Sequence, residues 1–135
     1  MTDSTTERTL YDRLGGEAGV RALVDRFYDH MDTLPEAALI RALHPSSLKT
    51  SRDKLHWFMV GWLGGPPLYV QRFGHPRLRA RHLPFPIGDA EAEQWMLCMR
   101  KALSEVLEDE GLARRLEAAL NRLAGHMRNQ APSEA

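Results

Sequence analysis

Six histidines, His30, His44, His56, His75, His82 and His126, are the side chains of this 135-residue chain best suited to hold a metal. None has a second histidine three or four positions away, and no Glu-x-x-His or His-Glu-x-x-His run puts two ligands on one helical turn. A bare ion coordinated by protein groups alone therefore finds no chelating pair. A lone cysteine, Cys98, excludes an internal disulfide and a cysteine-rich zinc cluster, and its Met-Leu-Cys-Met setting suits packing better than a thiolate.

One short stretch concentrates unusual chemistry. GHPRLRARHLPFPIG, residues 74–88, holds His75 and His82, Arg77, Arg79 and Arg81 on alternate positions, and Pro76, Pro84 and Pro86. A porphyrin brings four nitrogens of its own, so a haem protein need supply only one axial imidazole. His82 suits that role, since the arginines before it can reach anionic propionates, and Leu83-Pro84-Phe85-Pro86-Ile87 after it offers apolar surface without continuing a helix. A surface histidine among arginines is the competing reading of the same residues.

The elements that must position these groups are helical. Val20, Leu23, Val24, Phe27, Tyr28 and Met31 form one face of a helix opening after Gly15-Gly16. Pro35 suits the first turn of a short helix that His44-Pro45 closes near Leu43. Ser46 or Ser47 can cap a helix bearing Leu55, Phe58, Met59, Trp62 and Leu63, which Gly64-Gly65-Pro66-Pro67 stops. After a loosely helical middle, Gly88 and Asp89 begin the longest helix, with Ala92, Trp95, Met96, Met99, Leu103, Val106 and Leu107 inward. A last helix presents Leu112, Leu116, Ala119, Leu120, Leu123 and Met127 and frays from about Arg128. The expected class is all-α, in a single domain over 1–135 with tails of about 1–8 and 128–135 outside the core.

Eighteen basic residues balance eighteen acidic ones, so the molecule is not built as an electrostatic trap for nucleic acid. The polar start MTDSTTER lacks an apolar signal region and no run is long enough to span a bilayer, which predicts a cytoplasmic protein without membrane association. The expected assembly is a monomer or homodimer.

Taken in order, RFYDHM, GWLGGPPLYV, GHPRLRARHLPFPIG and the tryptophan of EQWMLCM resemble the truncated haemoglobins, specifically their second group, from about Leu10 to Leu123. The resemblance implies a shortened globin fold, a two-over-two helical sandwich around haem b, with the proximal position at His82. His75 is the rival imidazole, to which the family pattern gives a structural or propionate-side role. On the opposite, distal side, the resemblance points to Tyr28 and Trp95 as donors to a bound ligand, although both also suit core packing. His44 stands where many relatives carry an aromatic residue before proline, so it either lines the distal pocket or caps a turn. Ser51 falls at the position where other globins place a large histidine, leaving a small gate.

Haem contacts are expected from Leu55, Phe58, Leu63, Phe73, Leu78, Phe85, Ile87 and Met99, with Lys54, Tyr69, Arg79 and Arg81 toward the propionates. Three readings follow. One is a haem protein with five-coordinate iron that binds dioxygen, carbon monoxide and nitric oxide for transport, scavenging or sensing. Another is a haem redox enzyme, a nitric oxide dioxygenase or peroxidase-like catalyst, which needs an external reductase because the chain has no dinucleotide-binding turn and no room for a flavin domain. The third is a cofactor-free helical interaction module.

Overall fold

The computed structural model describes residues 8–130. Among them it is all-helical, without strands. A five-residue helix α1 (Leu10–Leu14) precedes α2 (Gly16–Thr33). A 3-10 turn (Pro35–Ala37) leads into α3 (Ala38–Ala42), and then come α4 (Lys49–Trp62), α5 (Leu68–Phe73), α6 (Leu78–His82), α7 (Asp89–Val106) and α8 (Glu110–His126). The long helices make two pairs, α2 with α4 and α7 with α8, joined where α2 lies across α7. This is the two-over-two arrangement expected.

Local chemistry explains most boundaries. Helix α1 is too short to show periodicity; it is a one-turn element closed by a capping box, in which Thr9 Oγ1 accepts from Asp12 N at 3.0 Å and the Asp12 carboxylate accepts from Thr9 N. Gly15 and Gly16 follow with φ of 109° and 72°, angles that side chains with a Cβ resist, and they turn the chain sharply into α2. Asp109 caps α8 by accepting from Leu112 N at 3.0 Å. Ser47 Oγ accepts from Lys49 N at 3.3 Å at the start of α4. Glu91, rather than Asp89, satisfies the start of α7, its Oε1 accepting from Gly88 N at 2.9 Å.

The α2 stripe read from the sequence, Val20 through Met31, is buried throughout. It meets Met96, Met99 and Leu103 of α7, and Leu112, Leu116 and Leu120 of α8 complete the core. Cys98 lies fully buried there, and burial pushes its thiol up to about 11, so it behaves as a small apolar residue. Helix α4 divides its apolar residues between two destinations: Met59 and Val60 enter the core, while Leu55 and Phe58 are half-buried on another side. That second side faces a cavity.

A candidate haem cavity

A cavity of about 520 Å³ opens between α2, α3, α4, α5, α6, α7 and α8. Its size suits a substantial organic ligand. On one side stands His82, the last residue of α6. Arg77, at φ 46°, starts that short helix, and its amide donates to His75 Nδ1 at 3.1 Å, so His75 fixes the turn and lines a separate neighbouring cavity instead of this one. His82 Nδ1 lies 2.6 Å from the Leu78 carbonyl oxygen. A carbonyl can only accept, so Nδ1 carries the proton and the Nε2 lone pair is left for a ligand or metal.

The loop after His82 is tied from a distant part of the chain. Asn129 Nδ2 donates to the carbonyls of His82 at 3.2 Å and Phe85 at 2.8 Å. Beside it, Arg79 donates to the carbonyls of His126 at 2.9 Å and Arg128 at 2.8 Å. Arg128 and Asn129, which fall in the tail expected to fray, thus brace the loop that carries the imidazole.

Hydrogen-bonding groups enter the same cavity from α2, the turn after α3, α4 and α7. Tyr28 sits with its ring 4.8 Å from Phe27 and 5.9 Å from His44, both edge-on. Trp95 packs edge-on to Phe27 at 4.9 Å. Phe27 therefore separates and orients the two donors from beneath. Burial pushes the Tyr28 phenol well above its usual range, partly offset by the Arg52 guanidinium 5.9 Å from its ring, so the hydroxyl stays protonated.

Gln94 Oε1 accepts from Leu39 N at 2.9 Å and Ile40 N at 3.1 Å, fastening α3 to α7. The Ile40 carbonyl in turn accepts from His44 Nδ1 at 2.9 Å. That bond fixes the His44 tautomer, with Nε2 as an acceptor while the ring is neutral. Burial holds the His44 pKa below the ordinary imidazole value, opposed by the hydrogen bond to the Ile40 carbonyl and reinforced by the Arg41 charge. Tyr28 Oη, Trp95 Nε1, Ser51 Oγ and the Nε2 atoms of His44 and His82 have no hydrogen-bond partner among the described residues.

Of the residues selected from sequence, Tyr28, His44, Ser51, Lys54, Leu55, Phe58, Tyr69, Leu78, Arg81, His82, Phe85, Ile87 and Trp95 line the cavity. Four do not. Leu63 and Met99 are in the helical core, because the periodicity that marks an inward face cannot say whether inward means core or cavity. Phe73 is 42% exposed and packs on the outer side of Tyr69 at 4.8 Å. Arg79 is committed to the carbonyls at the end of α8. Sequence reasoning missed Ile40, Leu43, Pro45, Glu91, Ala92, Leu123, Ala124 and Met127 as lining residues. Leu123 and Met127 are visible in the sequence only as part of the α8 apolar stripe.

An apolar cavity with the free imidazole nitrogens of His82 and His44 and several unpartnered donors matches the donor set that haem and a small polar ligand require. The comparisons agree with that geometry. The bacterial-like globin family matches residues 9–129. Group 2 truncated hemoglobin YjbI of Bacillus subtilis is 40% identical over 124 residues, covering 92% of this chain and 91% of that protein. The group II 2-on-2 hemoglobin of Agrobacterium tumefaciens superposes with a TM-score of 0.90 at 50% identity, covering 97% of this chain and 100% of that one. The truncated oxygen-avid haemoglobin of Bacillus subtilis gives a TM-score of 0.82 at 38% identity, covering 90% and 100%. This chain belongs to the bacterial-like globins and, within them, to the group II truncated haemoglobins.

Proposed function

We propose that the chain is a haem b protein that binds dioxygen and other diatomic ligands, carbon monoxide and nitric oxide among them, with His82 as the single protein ligand to iron. The haem, when bound, supplies the iron at which a diatomic gas is held. The observation that carries this reading is the His82 tautomer: Nδ1–H is spent on the Leu78 carbonyl and Nε2 is free at the cavity wall, whereas His44, with the same tautomer, packs against the ring of the proposed donor Tyr28. The lining by Leu55, Phe58, Leu78, Phe85 and Ile87 supports apolar walls for a porphyrin, and the lining by Lys54, Tyr69 and Arg81, the last with its Nε on the Pro76 carbonyl at 2.7 Å, supports these as partners of its carboxylates.

Tyr28 and Trp95 each hold a proton on an atom with no other partner among the described residues, so both donate to a polar ligand. A neutral hydrogen bond nets about 1 kcal/mol, which slows escape roughly 5-fold per donor. His44, neutral and with Nε2 unprotonated, accepts rather than donates. Ser51, small and on the first turn of α4, leaves a path into the cavity.

Absorption spectra after haem reconstitution test the proposal. Wild type is expected to give a strong Soret band that shifts with carbon monoxide in the ferrous form, and His82→Gly to give a weakened, altered band that added imidazole restores. An unaltered spectrum in the variant removes His82 from the iron. No Soret band in wild type removes the haem reading altogether.

A further inference from the structure

The charge balance of the whole chain hides a strong local bias. Residues 54–88 contain Lys54, Arg72, Arg77, Arg79 and Arg81 and not one aspartate or glutamate. The same segment supplies Trp62, Val70, Phe73, Leu83 and Phe85, five of the six exposed large hydrophobic side chains among the described residues. Cationic groups and exposed apolar groups on one segment, without acids, mark an interaction surface facing an anionic partner.

The patch is continuous with the cavity. Lys54, Arg81 and Phe85 are exposed members of the cavity lining and so stand at its mouth. From the mouth, Tyr69 contacts Phe73 at 4.8 Å, and Phe73 reaches Trp57 at 5.8 Å. The Arg72 guanidinium lies 4.3 Å above the Trp57 ring, which holds its charge at the surface in one place. If two propionates neutralise Lys54 and Arg81, the charges of Arg72, Arg77 and Arg79 remain uncompensated.

Reversible dioxygen binding needs ferrous iron, and the described residues form a helical globin fold that supplies no electrons itself. We infer that the exposed residues Val70, Arg72 and Phe73 of α5, with the exposed Arg77 that follows them in the chain, dock an acidic one-electron carrier protein of the flavodoxin or iron–sulfur ferredoxin class. In the docked complex the carrier gives up one electron, which reduces ferric haem iron to ferrous, and no covalent bond forms or breaks. The inference rests on the haem reading above. A membrane is the less suitable partner, since α5 and α6 have only six and five residues and neither offers a long amphipathic face.

The test uses ferric, haem-loaded protein and a chemically reduced flavodoxin as donor, following the Soret change. The second-order rate is expected to fall about 10-fold or more between low salt and about 0.3 M salt. The double variant Arg72→Glu, Arg77→Glu is expected to lose about 10-fold at low salt. Its reduction by photoreduced lumiflavin, small and uncharged, should match wild type, as should its carbon monoxide spectrum. A variant rate equal to wild type, or a rate indifferent to salt, overturns the assignment. So does strong binding of the wild type to phosphatidylglycerol vesicles that the double variant loses, which gives the surface to lipid. Absence of a Soret band in wild type is a different failure, that of the haem reading itself.

Discussion

Asn129 and Ile87 form a reciprocal pair: Asn129 N donates to the Ile87 carbonyl at 2.8 Å, and Ile87 N donates to Asn129 Oδ1 at 3.0 Å. With its amide nitrogen on the His82 and Phe85 carbonyls, one side chain bonds three backbone groups of a loop in which Pro84 and Pro86 supply no N–H, and the His82 carbonyl also accepts from Phe85 N at 3.0 Å.

Asn129→Ala should therefore free the loop carrying His82 while leaving the helices in place. The expected cost is about 1–3 kcal/mol of unfolding free energy, together with faster haem loss to a scavenging apoprotein. Denaturant unfolding and haem-transfer kinetics measure the two; an unchanged haem-loss rate shows that the loop holds without the clamp.

Tyr28→Phe and Trp95→Phe each remove a donor and keep an aromatic ring on Phe27. Each should raise the dioxygen off-rate about 5- to 10-fold with little change in melting temperature. A large fall in stability without a kinetic effect assigns the residue to the core alone.

His44, in the distal role proposed above, is expected to make ligand release depend on pH with a definite sign. Its folded pKa lies below 6.5, so it is neutral near pH 7 and accepts at Nε2; protonation at acid pH turns Nε2–H into a donor. Dioxygen release should slow as pH falls below 6.5, and His44→Phe should flatten the profile. The linked stability effect runs the other way on acidification: the unfolded imidazole takes up its proton first, so stability present above 6.5 is lost as pH falls toward the folded pKa. Stopped-flow off-rates and unfolding curves from about pH 5 to 8 check both.

Gly19 lets α2 pass close to the end of α1. A Cβ there would stand 2.0 Å from the Leu14 carbonyl oxygen, which is backbone and cannot rotate aside. Gly19→Ala should destabilise by about 2 kcal/mol or more, read by thermal unfolding, whereas Gly16→Ala meets no neighbour and is penalised only by its φ of 72°.

The periodic stripe of α2, the proline-bounded segment around His82 and the apolar faces of α7 and α8 were legible in the sequence, because burial on a helix repeats with the helical period. So was the concentration of ligating and anion-binding side chains in residues 74–88. Tertiary structure alone decided which inward residues face protein and which face the cavity: Met99 and Trp95 lie one helical turn apart on α7, yet one is core and the other cavity wall. It also decided that Arg79 and Asn129 brace the His82 loop. These depend on contacts between segments far apart in the chain, and periodicity is a local signal that carries no information about the partner across the gap.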